Sequence, residues 1–313
     1  MADHLPSPDC PLRIGTRGSP LALAQVHETR ARLMSAHGLP EGAFEIVVIK
    51  TTGDRVQDRP LSELGGKGLF TKEIEDAMLA RSIDIAVHSM KDMPTDQPDG
   101  LAITTLLPRE DVRDAFVTLG DNSLATLPER ATVGTSSLRR RAQLFHRRPD
   151  LNVVEFRGNV QTRMRKLSDG VADATFLAMA GLRRLGLLEI ARRPIETDAM
   201  LPAIAQGAIG IEQRADDDRV RALLEPIHDA ETGHRLAAER SFLRGLDGSC
   251  QTPIAGLAEI AGGRVRLRGE ILRPDGSECL AGEREGSLGD AAALGRDLAA
   301  ELRGRAAPDF FAT

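Results

Sequence analysis

Apolar and polar positions along this chain switch between two periods, and glycine, proline or a capping residue marks most of the changes. Leu12 to Thr16 is a short apolar run, read as a buried strand, and Arg17-Gly18 turns the chain. Ser19 followed by Pro20 predicts a helix start, because the serine hydroxyl caps free N–H groups and proline has none to satisfy; the helix runs to about His37. Phe44 to Ile49 is β-branched and apolar, a second strand. From Leu69 to Ala80 the residues Phe70, Ile74, Ala77 and Met78 fall at helical spacing, and Ile83 to Val87 reads as a third buried strand.

The same order returns in the second third of the chain. Ala131 to Gly134 predicts a strand, Ser137 to about Arg147 a helix, and Leu151 to Phe156 a strand. Asn159 then caps a helix to Gly170, and Ala174 to Leu177 is a strand. Ile14-Gly15-Thr16-Arg17-Gly18-Ser19 resembles Val133-Gly134-Thr135-Ser136-Ser137, and Asp84-Ile85-Ala86 resembles Asp173-Ala174-Thr175. Two βαβαβ units from a degenerate duplication account for both likenesses. The expected fold is α/β, two lobes flanking a cleft, because ligands of open α/β sheets sit at the carboxyl ends of strands. Ala208 to Ile211 is a further strand that returns to the first lobe. A helix from Asp229 to Leu243, alternating segments around Val265-Arg266-Leu267-Arg268 and a last helix from Asp290 to Arg303 predict a small α+β domain. The expected domains are 12–107 with 208–225, then 113–201, then 229–313.

Composition narrows the function. The 313 residues carry a formal net charge of −5 and 3% aromatics with no Trp or Tyr, which disfavours a nucleic-acid footprint and base-stacking platforms. No apolar run is long enough for a membrane-spanning helix, and Met1 to Pro11 has neither signal-peptide nor transit-peptide character, so a cytoplasmic location is expected. Cys10, Cys250 and Cys279 are too scattered for a disulfide scaffold or a zinc site, and no metal is expected. The only lysines are Lys50, Lys67, Lys72, Lys91 and Lys166, three of them within 25 residues of one another.

Arg17, Arg139, Arg140, Arg157, Arg163 and Arg184 mostly follow predicted strand ends or open helices, where guanidinium groups can bind carboxylates bidentately. In Thr135-Ser136-Ser137-Leu138-Arg139-Arg140, hydroxyls and free helix N–H groups add to an anion site. Taken singly, each such arginine equally fits a solvated helix face. Gly65-Gly66-Lys67-Gly68 lacks P-loop spacing and reads as a flap or as an ordinary turn. His88-Ser89-Met90-Lys91-Asp92-Met93-Pro94 puts a base beside an acid after a buried strand: Asp92 for protons or a developing cation, Lys91 for substrate carboxylate, His88 as a structural residue. A solvated turn before Pro94 fits the same string. Cys250 lies in a small-residue loop, Leu246 to Pro253, where a thiolate could bond a ligand and where a lone cysteine is also an ordinary small hydrophobe.

From Leu12 to beyond Pro253 these strings together resemble the porphobilinogen deaminase (hydroxymethylbilane synthase) family. Six carry the likeness in order: Ile14 to Ala22, Gly65 to Phe70, Ala86 to Asp92, Val133 to Arg140, Arg157-Gly158-Asn159-Val160, and Ala180-Gly181-Leu182, with the Cys250 loop after them. The resemblance implies a transferase with two periplasmic-binding-protein-like α/β lobes, and a dipyrromethane cofactor joined to Cys250 by a thioether. Four porphobilinogens would be added with loss of ammonia, and hydrolysis would free hydroxymethylbilane. It further implies Asp92 as the catalytic carboxylate facing an azafulvene cation. Lys91, Ser89, Thr135, Ser137, Arg139, Arg140 and Arg184 would hold the cofactor, and Arg17, Ser19, Arg157 and Arg163 the substrate or growing chain. Lys67 and Phe70 would belong to the flap, and the protein would act as a monomer. Two positions depart from the family pattern: Ser249 stands where Gly is frequent, and Glu63 where a basic residue is frequent. The rival reading is a non-catalytic anion-binding module of the same fold, which has no use for Cys250.

Overall fold

Ser19 caps the first long helix as its sequence requires: its hydroxyl accepts from the Ala22 N–H at 3.2 Å, Pro20 is the first helical residue, and Gly38 ends the helix with φ of 64°. In this computed structural model, which describes residues 5–55, 70–191, 193–249 and 252–311, the first part of the chain forms β1 (Leu12–Thr16), α1 (Pro20–His37), β2 (Phe44–Val48), α2 (Thr52–Arg55), α3 (Lys72–Leu79), β3 (Ile85–Ser89) and β4 (Leu101–Leu106). The middle forms β5 (Asp114–Thr118), β6 (Thr132–Gly134), α4 (Leu138–Arg147), β7 (Asn152–Val154), α5 (Val160–Ser168), β8 (Ala174–Ala178), α6 (Met179–Arg184), β9 (Ile209–Arg214) and α7 (Asp218–Leu224). The last part forms α8 (Ala230–Gly245), β10 (Ile254–Ala261), β11 (Arg264–Leu272), β12 (Cys279–Ser287) and α9 (Ala291–Arg305).

The contacts divide the chain into two compact units. One takes the chain up to Glu110 and again from Ala208 to Gly233; the other takes Asp111–Gly207 and the chain from His234 on. The first unit holds a five-stranded sheet in the order β2-β1-β3-β9-β4. Leu12, Ile14, Ile85, Val87, Ile209 and Ile211 share a core on one face with Val26 and Leu33 of α1. Ile74 and Met78 of α3 pack on Ile83, Ala86 and Leu101 on the other. Each such side chain, fully buried, contributes about 1.5–3 kcal/mol, so α1 and α3 are held chiefly by their apolar faces.

The second unit holds a four-stranded sheet, β5-β8-β6-β7, and the antiparallel sheet β10-β11-β12. The two larger sheets share a plan. β2-β1-β3 and β7-β6-β8 are parallel triplets in the same order, and Gly15 and Gly134 hold matching positions: Gly15 pairs Ala86 and Val47, Gly134 pairs Thr175 and Val154. Asp84 donates its N–H to the Arg13 carbonyl and accepts the Arg13 N–H on its side chain; Asp173 does both with Thr132. In the antiparallel sheet, Phe242 of α8 and Leu298 of α9 meet over Gly269 of β11.

Three differences from the expected elements matter for the site. The third strand runs Ile85–Ser89 rather than from Ile83 to Val87, because Asp84 is engaged by the start of β1; His88 and Ser89 therefore lie on the strand, not after it. Strands β4 and β5, which the apolar pattern did not mark, run antiparallel to β9 and β8. Strand β9 continues through Glu212, Gln213 and Arg214, all buried despite their polarity.

Candidate functional site

Where β3 ends, the chain makes a single 3₁₀ turn, Met90–Asp92, with the Met90 N–H bonded to the Ala208 carbonyl at 3.0 Å. Met90 and Met93 are buried at 2% and 5%, so the apolar residues anchor the turn from both sides while Lys91 is half-buried and Asp92 is exposed. Gly210 of β9 makes this possible: a Cβ there would stand 2.1 Å from the Met90 Sδ. Beside the turn lies a small open hollow of about 60 Å³, lined by Arg17, Ser19, Gln25, Phe70, His88 and Asp92 among others. Arg17, half-buried, lies with its Cζ 4.2 Å from the centre of the Phe70 ring. Ser89 accepts a 2.7 Å hydrogen bond from Gln25 of α1, and His88 Nε2 lies 3.0 Å from Glu212 Oε2.

The predicted residues of the second unit gather around α4 and β8. Ser137 caps α4, accepting from the Arg140 N–H at 3.4 Å, and Thr135, buried, accepts from the Ser137 N–H at 3.2 Å. Arg139 and Arg140 are buried at 4% and 6%, and both bond Asp114, at 2.8 and 2.6 Å. Burial disfavours ionisation of Asp114, but the two guanidinium charges and the hydrogen bonds of Arg140 and Gln206 outweigh it and hold its carboxyl well below the usual range. Arg140 and Arg163 both reach the Phe176 carbonyl, at 3.0 and 3.5 Å, and Arg163 also bonds the Gly158 carbonyl at 2.9 Å. Burial, then the like charge of Arg140, pull the Arg163 guanidinium down to about 10, so it remains a cation at neutral pH. No carboxylate partners Arg163 among the described residues. Arg184 bonds the Gly207 carbonyl at 3.0 Å, and Lys166 bonds the carbonyl of half-buried Arg157. Arg139 and Arg140 share Asp114, with buried Glu270 also acting on Arg139, and Arg163 bonds only carbonyls, so the three guanidinium groups leave a surplus of positive charge that suits a ligand rich in carboxylates.

The structure thus brings Arg17, Ser19, Phe70, Ser89 and Asp92 together around the hollow in the first unit, with Lys91 on the same turn as Asp92. It groups Thr135, Ser137, Arg139, Arg140 and Arg163 in the second. Cys250, Lys67 and the Gly65 to Leu69 stretch lie outside the described residues. Reading the sequence missed Gln25, Asp114, Gln206 and Glu212. For Glu212 a signal was present, a carboxylate within the apolar run Ala208 to Ile211 and its continuation; for Asp114 none was, since its partners are distant in sequence. Among the described residues no group of His, Cys, Asp and Glu has the geometry for a metal ion, and no helix is long and apolar enough to cross a membrane.

Residues 12–222 match the family model described as porphobilinogen deaminase, dipyromethane cofactor binding domain, and residues 234–304 match porphobilinogen deaminase, C-terminal domain. A protein named porphobilinogen deaminase from Paracoccus denitrificans is 69% identical over 308 residues, 98% of this chain and 98% of the relative. One of the same name from Nitrobacter winogradskyi is 58% identical over 298 residues, 95% and 94% of the two chains. Among solved structures, the VFT2 domain of Bordetella pertussis BvgS covers 74% of this chain and 92% of its own at 16% identity and a TM-score of 0.42, a loose likeness.

Proposed function

Because the chain belongs to the porphobilinogen deaminase family, the transferases of tetrapyrrole biosynthesis also called hydroxymethylbilane synthases, whose larger domain binds dipyrromethane, we propose that it joins four porphobilinogens head to tail and releases hydroxymethylbilane by hydrolysis. When bound through a thioether to Cys250, the dipyrromethane supplies the primer on which the new pyrroles are laid. The observation that supports this at the level of residues is the open hollow at the Ser89–Asp92 turn, with an exposed carboxylate beside hydroxyl and guanidinium donors.

Asp92 stands where a carboxylate can stabilise the cation left when the aminomethyl C–N bond of porphobilinogen breaks, and can hydrogen-bond pyrrole N–H groups. Arg17 and Ser19 bind the carboxylate arms of the incoming substrate, with Phe70, stacked on Arg17, setting the approach. Ser89 and Lys91 hold carboxylates of the cofactor. In the second unit Thr135, Ser137 and Arg184 are assigned to cofactor carboxylates. Arg139 and Arg140, tied to Asp114, contribute there through their shared excess charge. Arg157 and Arg163 bind the growing chain, and Lys67 acts from the flap. The uncompensated Arg163 favours this assignment, because a desolvated cation with only carbonyl acceptors gains most from an anionic ligand.

The working parts on this reading are 12–107 with 208–225, 113–201, and 229–313 carrying Cys250. Alkylation of Cys250 needs a reduced thiol, which suits the cytoplasm, and Cys10 and Cys279 are free thiols. A monomer is the state that the family resemblance implies. The intact mass of the denatured protein tests the reading: an excess of two linked pyrroles on the peptide around Cys250 is expected, and is lost in Cys250→Ser. An unmodified Cys250 that stays so after incubation with porphobilinogen would leave a carboxylate-binding module instead.

A further inference from the structure

The face of the first sheet toward α3 is apolar along Ile74, Met78, Ile83, Ala86 and Leu101 until it nears the hollow, where His88, Glu212 and Glu75 take the place of hydrophobes. Strand alternation puts Ala86 and His88 on this face, and the antiparallel register, Ala86 with Glu212 and His88 with Gly210, makes His88 and Glu212 diagonal neighbours. Glu212 is fully buried, and only its Oε2 is engaged, 3.0 Å from His88 Nε2; Oε1 has no partner among the described residues. A carboxylate placed there loses its hydration, and apolar side chains of similar volume would stabilise the fold as well or better. Of the three polar residues, only His88 lines the hollow, with Ser89 and Asp92 beside it. A buried carboxylate behind an imidazole that faces a ligand site is an arrangement that orients the ring and supports its cation.

On the deaminase reading above, we propose that His88, held by Glu212, is a second proton-transfer residue of the reaction, working beside Asp92. The aminomethyl C–N bond breaks with its electron pair on nitrogen, so the substrate's ammonium group leaves as ammonia and the methylene carbon becomes cationic. Asp92 faces that cation. When the methylene carbon bonds a pyrrole carbon, the hydrogen on that carbon is displaced as a proton; neutral His88 takes it at Nδ1, since Glu212 engages Nε2, and passes it to the ammonia, which departs as ammonium. The charged groups that face the ring are Glu212 from β9 and Glu75 from α3, with Arg17 from the turn after β1 and Asp92 lining the same hollow. Burial holds the Glu75 carboxyl above its usual range, while Gln25 of α1 bonds Ser89 at this end of β3.

The test uses holoenzyme whose dipyrrole has been counted by intact mass, and compares the pH profile of kcat/KM with the NMR titration of the His88 ring. In the unsubstituted protein the midpoint of the ring is expected to coincide with one limb of the profile. In Glu212→Gln both are expected to move toward acid together, because the imidazolium loses its carboxylate. His88→Gln is expected to abolish that limb and lower kcat by about 10²-fold or more with KM little changed. A His88 midpoint that matches no limb, or a profile that His88→Gln leaves in place in dipyrrole-loaded protein, overturns the assignment, and the first of these needs no variant to fold. Absence of the dipyrrole from the unsubstituted protein would instead overturn the deaminase reading on which it rests.

Discussion

The two parallel triplets, β2-β1-β3 and β7-β6-β8, share strand order, matched glycines and the aspartate that ties the first strand to the third, yet their strand ends bear opposite chemistry. At the end of β3 stand an exposed carboxylate, a hydroxyl and a histidine backed by Glu212. Around α4 and the end of β8 stand Arg139 and Arg140 on Asp114, with Arg163 on the Phe176 carbonyl. A repeated βαβαβ frame puts side chains at the same points in each copy and leaves their identity free; on the reading proposed above, the exposed carboxylate stands in one copy and most of the buried guanidinium groups in the other.

Replacing the carboxylate at the turn tests this division most severely. Asp92→Asn is expected to slow turnover by about 10²- to 10⁴-fold with the thermal unfolding midpoint nearly unchanged, because the residue is exposed and, on the reading proposed above, acts on protons and charge. Near-normal turnover would remove Asp92 from its role. Asp114→Asn in the other copy is expected to act on the fold, losing about 3–5 kcal/mol in urea unfolding as two buried guanidinium groups lose their shared anion. A stable variant would mean that the arginines reorient to solvent.

The matched glycines give a finer comparison. At Gly134 an added Cβ would lie 2.3 Å from the Phe156 ring, whereas at Gly15 it meets the flexible tip of Ile83 at 2.4 Å. Gly134→Ala is therefore expected to cost about 1–3 kcal/mol, and Gly15→Ala less. Equal losses would show that Phe156 yields as readily as Ile83.

The two aspartate ties should differ least, and chiefly in acid. Burial opposes ionisation of Asp84, but the Arg13 side chain and N–H, with the charges of Arg13 and Arg214, outweigh it and hold the carboxyl below its usual range. With the folded-state pKa depressed, the stabilisation is present above the unfolded value of about 4 and is lost as pH falls through the folded one. Asp84→Asn is thus expected to destabilise at pH 7 and progressively less below pH ~4. Asp173, exposed and tied only to a backbone N–H by the bonds described, is expected to show a smaller effect at pH 7 when replaced by Asn. An Asp84→Asn effect that is flat with pH would show that its charge does not contribute.

Local signals sufficed wherever the physics is local. Ser19-Pro20, Ser137 and Asn159 open helices because a cap acts within three residues, and the likeness of Ile14 to Ser19 and Val133 to Ser137 already pointed to the repeated frame. The strings around Asp92 and Arg140 could be singled out for the same reason, as short runs of charged and hydroxyl residues at a strand end, though a solvated surface fits each of them too. What the chain order did not carry is which distant groups those residues meet. Gln25 reaches Ser89 across 64 residues, Arg139 reaches Asp114 across 25, and His88 reaches Glu212 across 124, through the return of β9 between β3 and β4. His88, read from its neighbours alone as a structural residue, acquires a buried carboxylate only because antiparallel pairing puts it diagonal to Glu212. Hydrogen bonding and desolvation depend on distance in space, which the chain path leaves open until the strands have found their order.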